Sequence, residues 1–275
     1  MSFATLMVCM RVGRPNSGLL AVVRDVAARF DSTVIGIAAK QVSTHAASIR
    51  GAGPCEPHQH NLRKFAEHAA VAEDEFRKAL ANVDRLEWRT KMTFGPAYEH
   101  VANEARIADL VIAPVDGHEK LFSPSGQVEI GDLIKSVGRP VLAAPIEATG
   151  LPFGQALVLW KETRQTRRAV ADALPLLKTI KRVDVIEIVE ASAVEESRRR
   201  VGDVGDWLAR HGVDANCSAE VAHGSECDQL RAKAEDLQID LLVAGAYSHS
   251  RLREWAFGDT RDLFSRVRRC VLASH

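Results

Sequence analysis

A glycine-containing stretch near the end of the chain carries the residues best suited to binding phosphate. Residues 243–263 are VAGAYSHSRLREWAFGDTRDL, in which Gly245 directly follows an apolar run and nine residues separate Ser248 from Gly258. Glycines let a backbone approach a ligand closely, and the N–H groups of a turn that enters a helix attract phosphate. The spacing therefore predicts an anion-binding turn that leads into a helix.

A second group of candidate ligands lies between residues 45 and 68. Cys55, His58 and His60 are of the types that bind zinc or copper, and an extended loop would place both imidazoles on one side. The same residues suit a solvated polar loop, which is the interpretation we favour, so no metal cofactor is predicted. The loop, about residues 41–59, is longer than most connections in α/β proteins, and a binding role therefore stays open.

No catalytic set is recognisable in the sequence. Ser248, His249 and Ser250 are neighbours, but a nucleophile and its base are defined in space and need a third, orienting group. The chain contains no G-x-S-x-G, H-E-x-x-H or P-loop lysine motif. We therefore expect a protein that is not an enzyme.

Strand and helix patterns alternate along the chain. Apolar residues recur at helical spacing in residues 17–30 and 164–178, between short apolar runs that predict strands. The strand candidates are residues 4–10, 32–39, 86–94, 108–114, 139–145, 155–160, 183–189, 214–221, 240–245 and 269–274. Helices of this length between strands predict a parallel sheet that is covered on both faces.

The two halves of the chain repeat each other about 130 residues apart. LIKSVGRPVLAAP (133–145) parallels LFSRVRRCVLASH (263–275), and GPAYEHVANEARIADLVIAP parallels GSECDQLRAKAEDLQIDLLVAG. This period is too long for a solenoid repeat, so it indicates a duplicated domain. Glycine and proline interrupt the pattern in IEATGLPFGQ, which predicts one domain at 1–147 and another at 153–275.

Each half, the second especially, resembles a universal stress protein (UspA) domain. GAYSHSRLREWAFGDTRDLFSRVRRCVLASH is similar to the family's closing pattern of glycine, two residues, glycine, nine residues, then glycine with Ser or Thr, a helix and a strand. LWKETRQTRRAVADALPLLK resembles its first strand, loop and helix. The resemblance implies an α/β fold of two tandem Rossmann-like (adenine nucleotide alpha hydrolase-like) domains. Each would have a mainly parallel five-stranded sheet flanked by helices.

The resemblance also implies an adenine-nucleotide site in the second half. Its motif is partly retained as G-x2-S-x9-G, and the site residues would be Ala244, Gly245, Ser248, Gly258, Asp259, Thr260 and Lys161. Ser248 stands where the family has its second glycine, Asp259 where it has a hydroxyl, and Lys161 where its first loop carries a nucleoside-binding aspartate. A carboxylate about 4 Å from a phosphate oxygen costs roughly 1 kcal/mol in water and about 4 kcal/mol at a partly buried surface. Asp259 is therefore expected to weaken binding, and Lys161 to offset this in part by meeting a phosphate.

The first half departs further from the family's nucleotide motif. Pro114 stands in place of the first glycine, Gly117 takes the second place, and Gly126 comes one residue early. The first loop, MRVGRPNS, contains no aspartate. We therefore treat this motif as degenerate and do not expect a nucleotide in the first half.

Composition argues against several other partner classes. The 275 residues include 36 Lys and Arg against 36 Asp and Glu, so no net field favours nucleic acid or an anionic membrane. No apolar run is long enough to cross a membrane. The 5 cysteines are scattered without a C-x-x-C pair, which suits a reducing compartment. We expect a cytoplasmic protein that binds neither nucleic acid nor membrane.

The leading functional prediction is a non-enzymatic stress-response module. It would bind ATP or AMP with Mg²⁺ weakly, or would have lost this binding, and would act through a protein partner. By the resemblance, the last strands of the two halves would join as an intramolecular pseudo-dimer, which buries two sheet edges, and two chains could form a homodimer. The alternatives are an ATP-using enzyme of the same α/β superfamily and a metal-responsive binder that uses the 45–68 loop.

The departures at Asp259 lead to a direct test. If its charge and a turn one residue too short weaken phosphate binding, Asp259→Ser with one inserted Val should raise ATP affinity at least about tenfold. Isothermal calorimetry measures the change. Unchanged affinity would contradict this explanation.

Overall fold

The computed structural model describes residues 2–42, 56–116, 128–246 and 269–275. Strands and helices alternate through the first half, as the sequence pattern predicts. The elements are β1 Thr5–Cys9, α1 Ser17–Phe30, β2 Thr33–Gln41, α2 Glu56–Ala79, β3 Leu86–Thr93, α3 Ala97–Glu104, β4 Leu110–Val115, α4 Ile130–Ser136 and β5 Val141–Pro145. A short 3-10 helix, Ala105–Ile107, precedes β4.

The second half repeats this order. Its elements are β6 Gln155–Leu159, α5 Arg164–Leu177, β7 Arg182–Val189, α6 Val194–Arg210, β8 Ala215–Val221, α7 Glu226–Asp236, β9 Leu241–Gly245 and β10 Cys270–Ser274. The helix that the family's closing pattern implies before the last strand lies outside the described residues. The mixed α/β class is confirmed, because a large, mostly parallel sheet is flanked by helices.

All ten described strands belong to one sheet. Their order is β3-β2-β1-β4-β5-β10-β9-β6-β7-β8, so each half contributes five strands in the same relative order. β5 and β10 run antiparallel and pair Leu142 with Leu272, whereas the other neighbours are parallel. The two predicted five-stranded sheets are therefore joined through their last strands, as the family resemblance implies.

The core lies on both faces of this sheet. On one face, α1, α2, α5 and α6 cover a single apolar cluster that includes Leu6 and Val8 of β1 together with Ala156 and Val158 of β6. The other face has separate clusters under α3 and α4 and under α7. Burying a large aliphatic side chain contributes about 1.5–3 kcal/mol, so the cluster shared by both halves stabilises their union.

An aspartate that precedes the fourth strand of each half holds the start of the first strand. Asp109 accepts a hydrogen bond from the backbone N–H of Thr5 through Oδ2 at 2.9 Å. In the second half, Oδ2 of Asp240 accepts from the N–H groups of Gly154 at 2.7 Å and Gln155 at 3.0 Å. This repeated contact supports the interpretation that the chain is a duplication.

The segment between the halves is attached to α1. The Asp25 carboxylate accepts from the N–H of Leu151 at 2.9 Å, and Arg29 donates to the carbonyl of Thr179 at 2.9 Å. The Arg29 guanidinium also lies over the Phe153 ring, 5.4 Å from its centroid. These contacts fix the connecting segment against both halves. Across the described residues, no helix combines the length and apolar character that a membrane crossing requires.

The repeated aspartate generates a stability prediction. Asp240→Ala should lower the free energy of unfolding by about 1–3 kcal/mol, because two backbone donors lose their acceptor. Asp109→Ala should cost about 1 kcal/mol, since it leaves one donor unpaired. Urea unfolding measures both changes, with Asp236→Ala on an exposed face of α7 as the control. If Asp240→Ala were no more costly than Asp236→Ala, the repeated contact would have no structural role.

Candidate functional site

The candidate site lies at the carboxyl ends of the strands in the second half. The strand order reverses at β6, which has β9 on one side and β7 on the other. Doubly wound sheets bind ligands in the crevice beyond such a reversal. Gly245 is the last residue of β9 and Lys161 follows β6 by two positions, so both border this crevice.

Gly245 lies directly against the first turn of α5. A Cβ at this position would be 2.4 Å from the backbone N of Thr166 and 2.6 Å from the carbonyl carbon of Gln165. No side chain fits there unless the helix moves. The packing of α5 therefore explains this glycine, in addition to the phosphate role that the sequence motif predicts.

The first turn of α5 has a side-chain cap but no negative charge. The Thr163 hydroxyl accepts from the N–H of Thr166 at 3.2 Å, and the two threonine hydroxyls lie 2.9 Å apart. The helix begins with Arg164 and has no acidic residue in its first turn. The positive pole of the helix dipole therefore has no carboxylate within the first turn, and Glu162, which precedes the cap, pairs with Arg167.

Lys161 forms an ion pair with Glu226, the first residue of α7. The Lys161 Nζ lies 2.5 Å from the Glu226 Oε1, with the two side chains 22% and 26% exposed. A phosphate that approaches Lys161 must therefore compete with a carboxylate in a partly buried setting. The predicted partner of a phosphate is already engaged, which is consistent with weak binding.

The structure places only part of the predicted nucleotide set. Ala244, Gly245 and Lys161 lie at the carboxyl ends of the paired strands β9 and β6. Ser248, Gly258, Asp259 and Thr260 lie outside the described residues, so their roles stay predictions. Glu226 was not predicted as a site residue. The helix start at Ser225 can be read from the sequence, but the pairing of Glu226 with Lys161 depends on how two distant loops meet.

In the first half, a polar network holds the loop after β1. Arg11 and Arg14 each place Nη1 near Oδ2 of Asp116, at 3.6 and 3.5 Å. The buried Asn16 donates to the carbonyls of Arg11 and Arg14 at 3.1 Å, and its N–H donates to Glu75 at 2.8 Å. Pro114 lies in β4, whereas Gly117 and Gly126 fall outside the described residues. Ion pairs and hydrogen bonds of the chain itself therefore organise this loop.

The metal hypothesis loses its geometric basis. We predicted an extended loop to about residue 59, but α2 begins at Glu56, so His58 and His60 are helical. Positions two apart in a helix differ by about 200° around its axis, and the backbone does not bring them to one side. Cys55 lies outside the described residues, within which no group of three potential metal ligands occurs.

Two cysteines close to the centre of the sheet are deeply buried. Burial raises the pKa of both Cys9 and Cys270 to about 12, so both thiols are protonated at neutral pH. Because the thiolate is the nucleophile, neither residue has the character of a catalytic cysteine.

Solved structures share the fold of this chain at low sequence identity. No protein-family model matches the chain, and no curated protein matches it in sequence. A universal stress protein from Archaeoglobus fulgidus DSM 4304 has a similar structure, with a TM-score of 0.72 and 13% identity over 98% of this chain and 95% of that one. A functionally unknown protein from Pseudomonas aeruginosa PAO1 matches with a TM-score of 0.59 and 13% identity, over 99% of this chain and 92% of the other. The expected universal-stress-protein fold is therefore confirmed, spanning both halves of the chain.

The close approach at Gly245 generates a second stability prediction. Gly245→Ala should lower the free energy of unfolding by about 1–3 kcal/mol, because the new methyl group overlaps the backbone of α5. Gly202→Ala is the matched control, since a Cβ there meets nothing within 4 Å, and it should be neutral or stabilising by up to about 1 kcal/mol. Thermal and urea unfolding measure both. Equal stability of Gly245→Ala and the wild type would show that α5 does not depend on the glycine.

Proposed function

We propose that the chain is a non-enzymatic stress-response module of the universal stress protein type, with an adenine-nucleotide site in its second half. The observation that carries the proposal is the position of Gly245, which ends β9 beside the N-terminus of α5 where the strand order reverses. Backbone donors and a helix dipole converge on this crevice, as phosphate binding requires. The fold shared with the Archaeoglobus protein supports the same class.

The proposed ligand is ATP or AMP with Mg²⁺, bound weakly. Lys161 is the one proposed site residue with a cationic side chain, and it is paired with Glu226 at 2.5 Å. Binding a phosphate there means exchanging one anionic partner for another, so little net free energy is gained. A nucleotide would then bind appreciably only when it is abundant, which suits a module that responds to the nucleotide level.

The proposed organisation is two domains, residues 1–147 and 153–275, and only the second domain would bind nucleotide. The first-half loop after β1 is held by its own network of Arg11, Asp116 and Asn16. Because β5 and β10 already pair within the chain, those two edges are not open to a second copy. A homodimer in the cytoplasm would therefore form through another surface, and the output would pass through a protein partner.

The Lys161–Glu226 pair provides the test. In calorimetric titrations of nucleotide-stripped protein with Mg-ATP, Glu226→Gln should tighten binding by about tenfold, because it removes a competing carboxylate. Lys161→Ala should weaken binding by a similar factor. Glu235→Gln, an exposed change near the other end of the same helix, should leave the affinity unchanged.

Two outcomes would contradict the proposal. One is the absence of heat with millimolar Mg-ATP for the wild type and for Glu226→Gln alike. The other is binding that responds equally to Glu226→Gln and Glu235→Gln, which would reflect general charge rather than this site.

A further inference from the structure

β3 is an outer strand of the sheet and has β2 as its only neighbouring strand within the ranges that the structure describes. Val42, directly after β2, donates its N–H to the carbonyl of Thr93 at 2.8 Å. In a parallel pair the backbone groups of alternate residues point to the same side, so the odd-numbered residues of β3 pair with β2. The N–H and C=O groups of Trp88, Thr90 and Met92 therefore point to the open side.

A groove of about 440 Å³ runs between this strand and α2. Trp88 is fixed at the groove by its packing on Phe76, with the ring centroids 5.5 Å apart. The indole also occupies space that Gly36 of β2 leaves open, because a Cβ on Gly36 would lie 2.6 Å from it. The other apolar residues that line the groove are Leu62, Phe65, Ala66 and Ala69 of α2 and Met92 of β3.

Apolar side chains are exposed along the same edge. Leu62 is 40% exposed, and Phe94, the residue after β3, is 75% exposed. Trp88 and Met92 are half-buried. Exposed apolar patches and open strand edges are both features of surfaces that bind other chains. At β3 the outward backbone groups and the exposed apolar side chains lie side by side.

The outer strand of the second half packs more closely on its helix. Cys217 of β8 corresponds to Trp88 in the strand register. A Cβ on Gly205 of α6 would lie 2.8 Å from the Cys217 Sγ, so the helix lies directly over the small side chain. In the first half a bulky indole and a groove are found at this position. The groove is therefore not a consequence of the shared fold.

The charges of β3 indicate which chain would fit its edge. Arg89 is paired with Glu87 and Glu104, whereas Lys91 is exposed and has no ion pair among the described residues. A carboxylate opposite Lys91 would be favourable. Centred antiparallel pairing with a second copy, with both α2 helices on one face, would place Arg89 opposite the same residue or Lys91 of that copy. Like charges directly opposite each other are destabilising, so an acidic segment of another protein fits better.

We propose that the open edge of β3 binds an extended, acidic segment of a partner protein, which adds to the sheet as a further strand. Its main chain would pair with the outward N–H and C=O groups of Trp88, Thr90 and Met92. Alternate apolar side chains would enter the groove beside α2, and a carboxylate on the other face would lie opposite Lys91. This inference goes beyond the proposed function, because it stands whether or not the second half binds nucleotide.

A synthetic peptide of eight residues, the length of β3, tests the proposal with the full chain. Val and Leu alternate in it with Glu and Thr, and fluorescence anisotropy of the labelled peptide measures its affinity. We expect saturable binding below about 1 mM. A scrambled peptide of the same composition, without the alternation, should bind at least about tenfold more weakly. Replacing its Glu by Lys should also weaken binding, and Lys91→Glu should reverse this preference.

Amide hydrogen exchange locates the bound peptide. Saturating peptide should slow exchange at Trp88, Thr90 and Met92, because their N–H groups gain acceptors. Arg89 and Lys91 already donate to β2, so their exchange should change little. Two further peptides carry methyl groups on the backbone nitrogens of either the odd-numbered or the even-numbered residues. Only the peptide whose methyl groups lie on the side away from β3 should bind.

Variants of the chain test the groove and the edge separately. Leu62→Ser should weaken peptide binding about fivefold, because binding covers this exposed side chain. Val71→Ser is the control, since Val71 is exposed on the same helix but does not line the groove. Thr90→Pro should weaken binding at least about fivefold, because it removes an outward N–H at a position where an outer strand tolerates proline. Ala219→Pro, at the corresponding position of β8, should have no effect.

Three results would overturn the proposal. The first is no saturable binding of the alternating peptide up to millimolar concentration, or equal binding of the scrambled peptide. The second is an affinity that neither Leu62→Ser nor Thr90→Pro changes. The third is a dimer, seen by light scattering, that Thr90→Pro dissociates while the peptide does not bind, which would identify a second copy of the chain as the occupant of this edge.

Discussion

The antiparallel pairing of β5 with β10 is the contact on which the architecture depends. A five-stranded sheet from either half alone would expose the backbone N–H and C=O groups of its last strand. Pairing Val141 to Ala143 with Ala273 to Val271 satisfies both edges at once. It also brings α1 and α5 over one apolar cluster that neither half could complete alone. The connecting segment is attached to α1 through Asp25 and Arg29.

Within this duplicated frame, the two halves differ at the carboxyl ends of their strands. At the strand starts, both halves retain an aspartate that accepts a hydrogen bond from the backbone at the start of the first strand. The strand ends do not share a common contact of this kind. Arg11 pairs with Asp116 in the first half, whereas Lys161 pairs with Glu226 in the second. Elements that hold the sheet together are repeated because both halves need them, but the crevice residues are free to differ.

Buried polar groups differ in whether the fold provides them with hydrogen-bond partners. Glu187 is 4% exposed, yet its Oε2 accepts from Ser197 at 2.6 Å and from Arg200 at 3.1 Å, which satisfies the charge between β7 and α6. Trp160 and Ser274 are about as buried, but the Trp160 Nε1 and the Ser274 Oγ have no hydrogen-bond partner within the described ranges of the chain. A buried polar group that is satisfied supports the fold, whereas a buried group without a partner costs free energy.

The sequence by itself determined the fold class, the strand order along the chain and the duplication. Apolar periodicity is local and strong in buried parallel strands, so most predicted elements agree with the structure within one or two residues. The start of α2 was predicted too late, because the residues after Glu56 are mostly polar and a loop was expected to about residue 59. The motif around Gly245 was also readable, because a glycine at a strand end is a local signal.

Only the tertiary structure decided what these residues contact. That Gly245 accommodates the backbone of α5 and that Glu226 engages Lys161 both depend on elements tens of residues apart. Side-chain pairing across such distances produces no periodic pattern in the sequence. The physical reason is that the energy of these contacts is realised only when the sheet places the strand ends side by side.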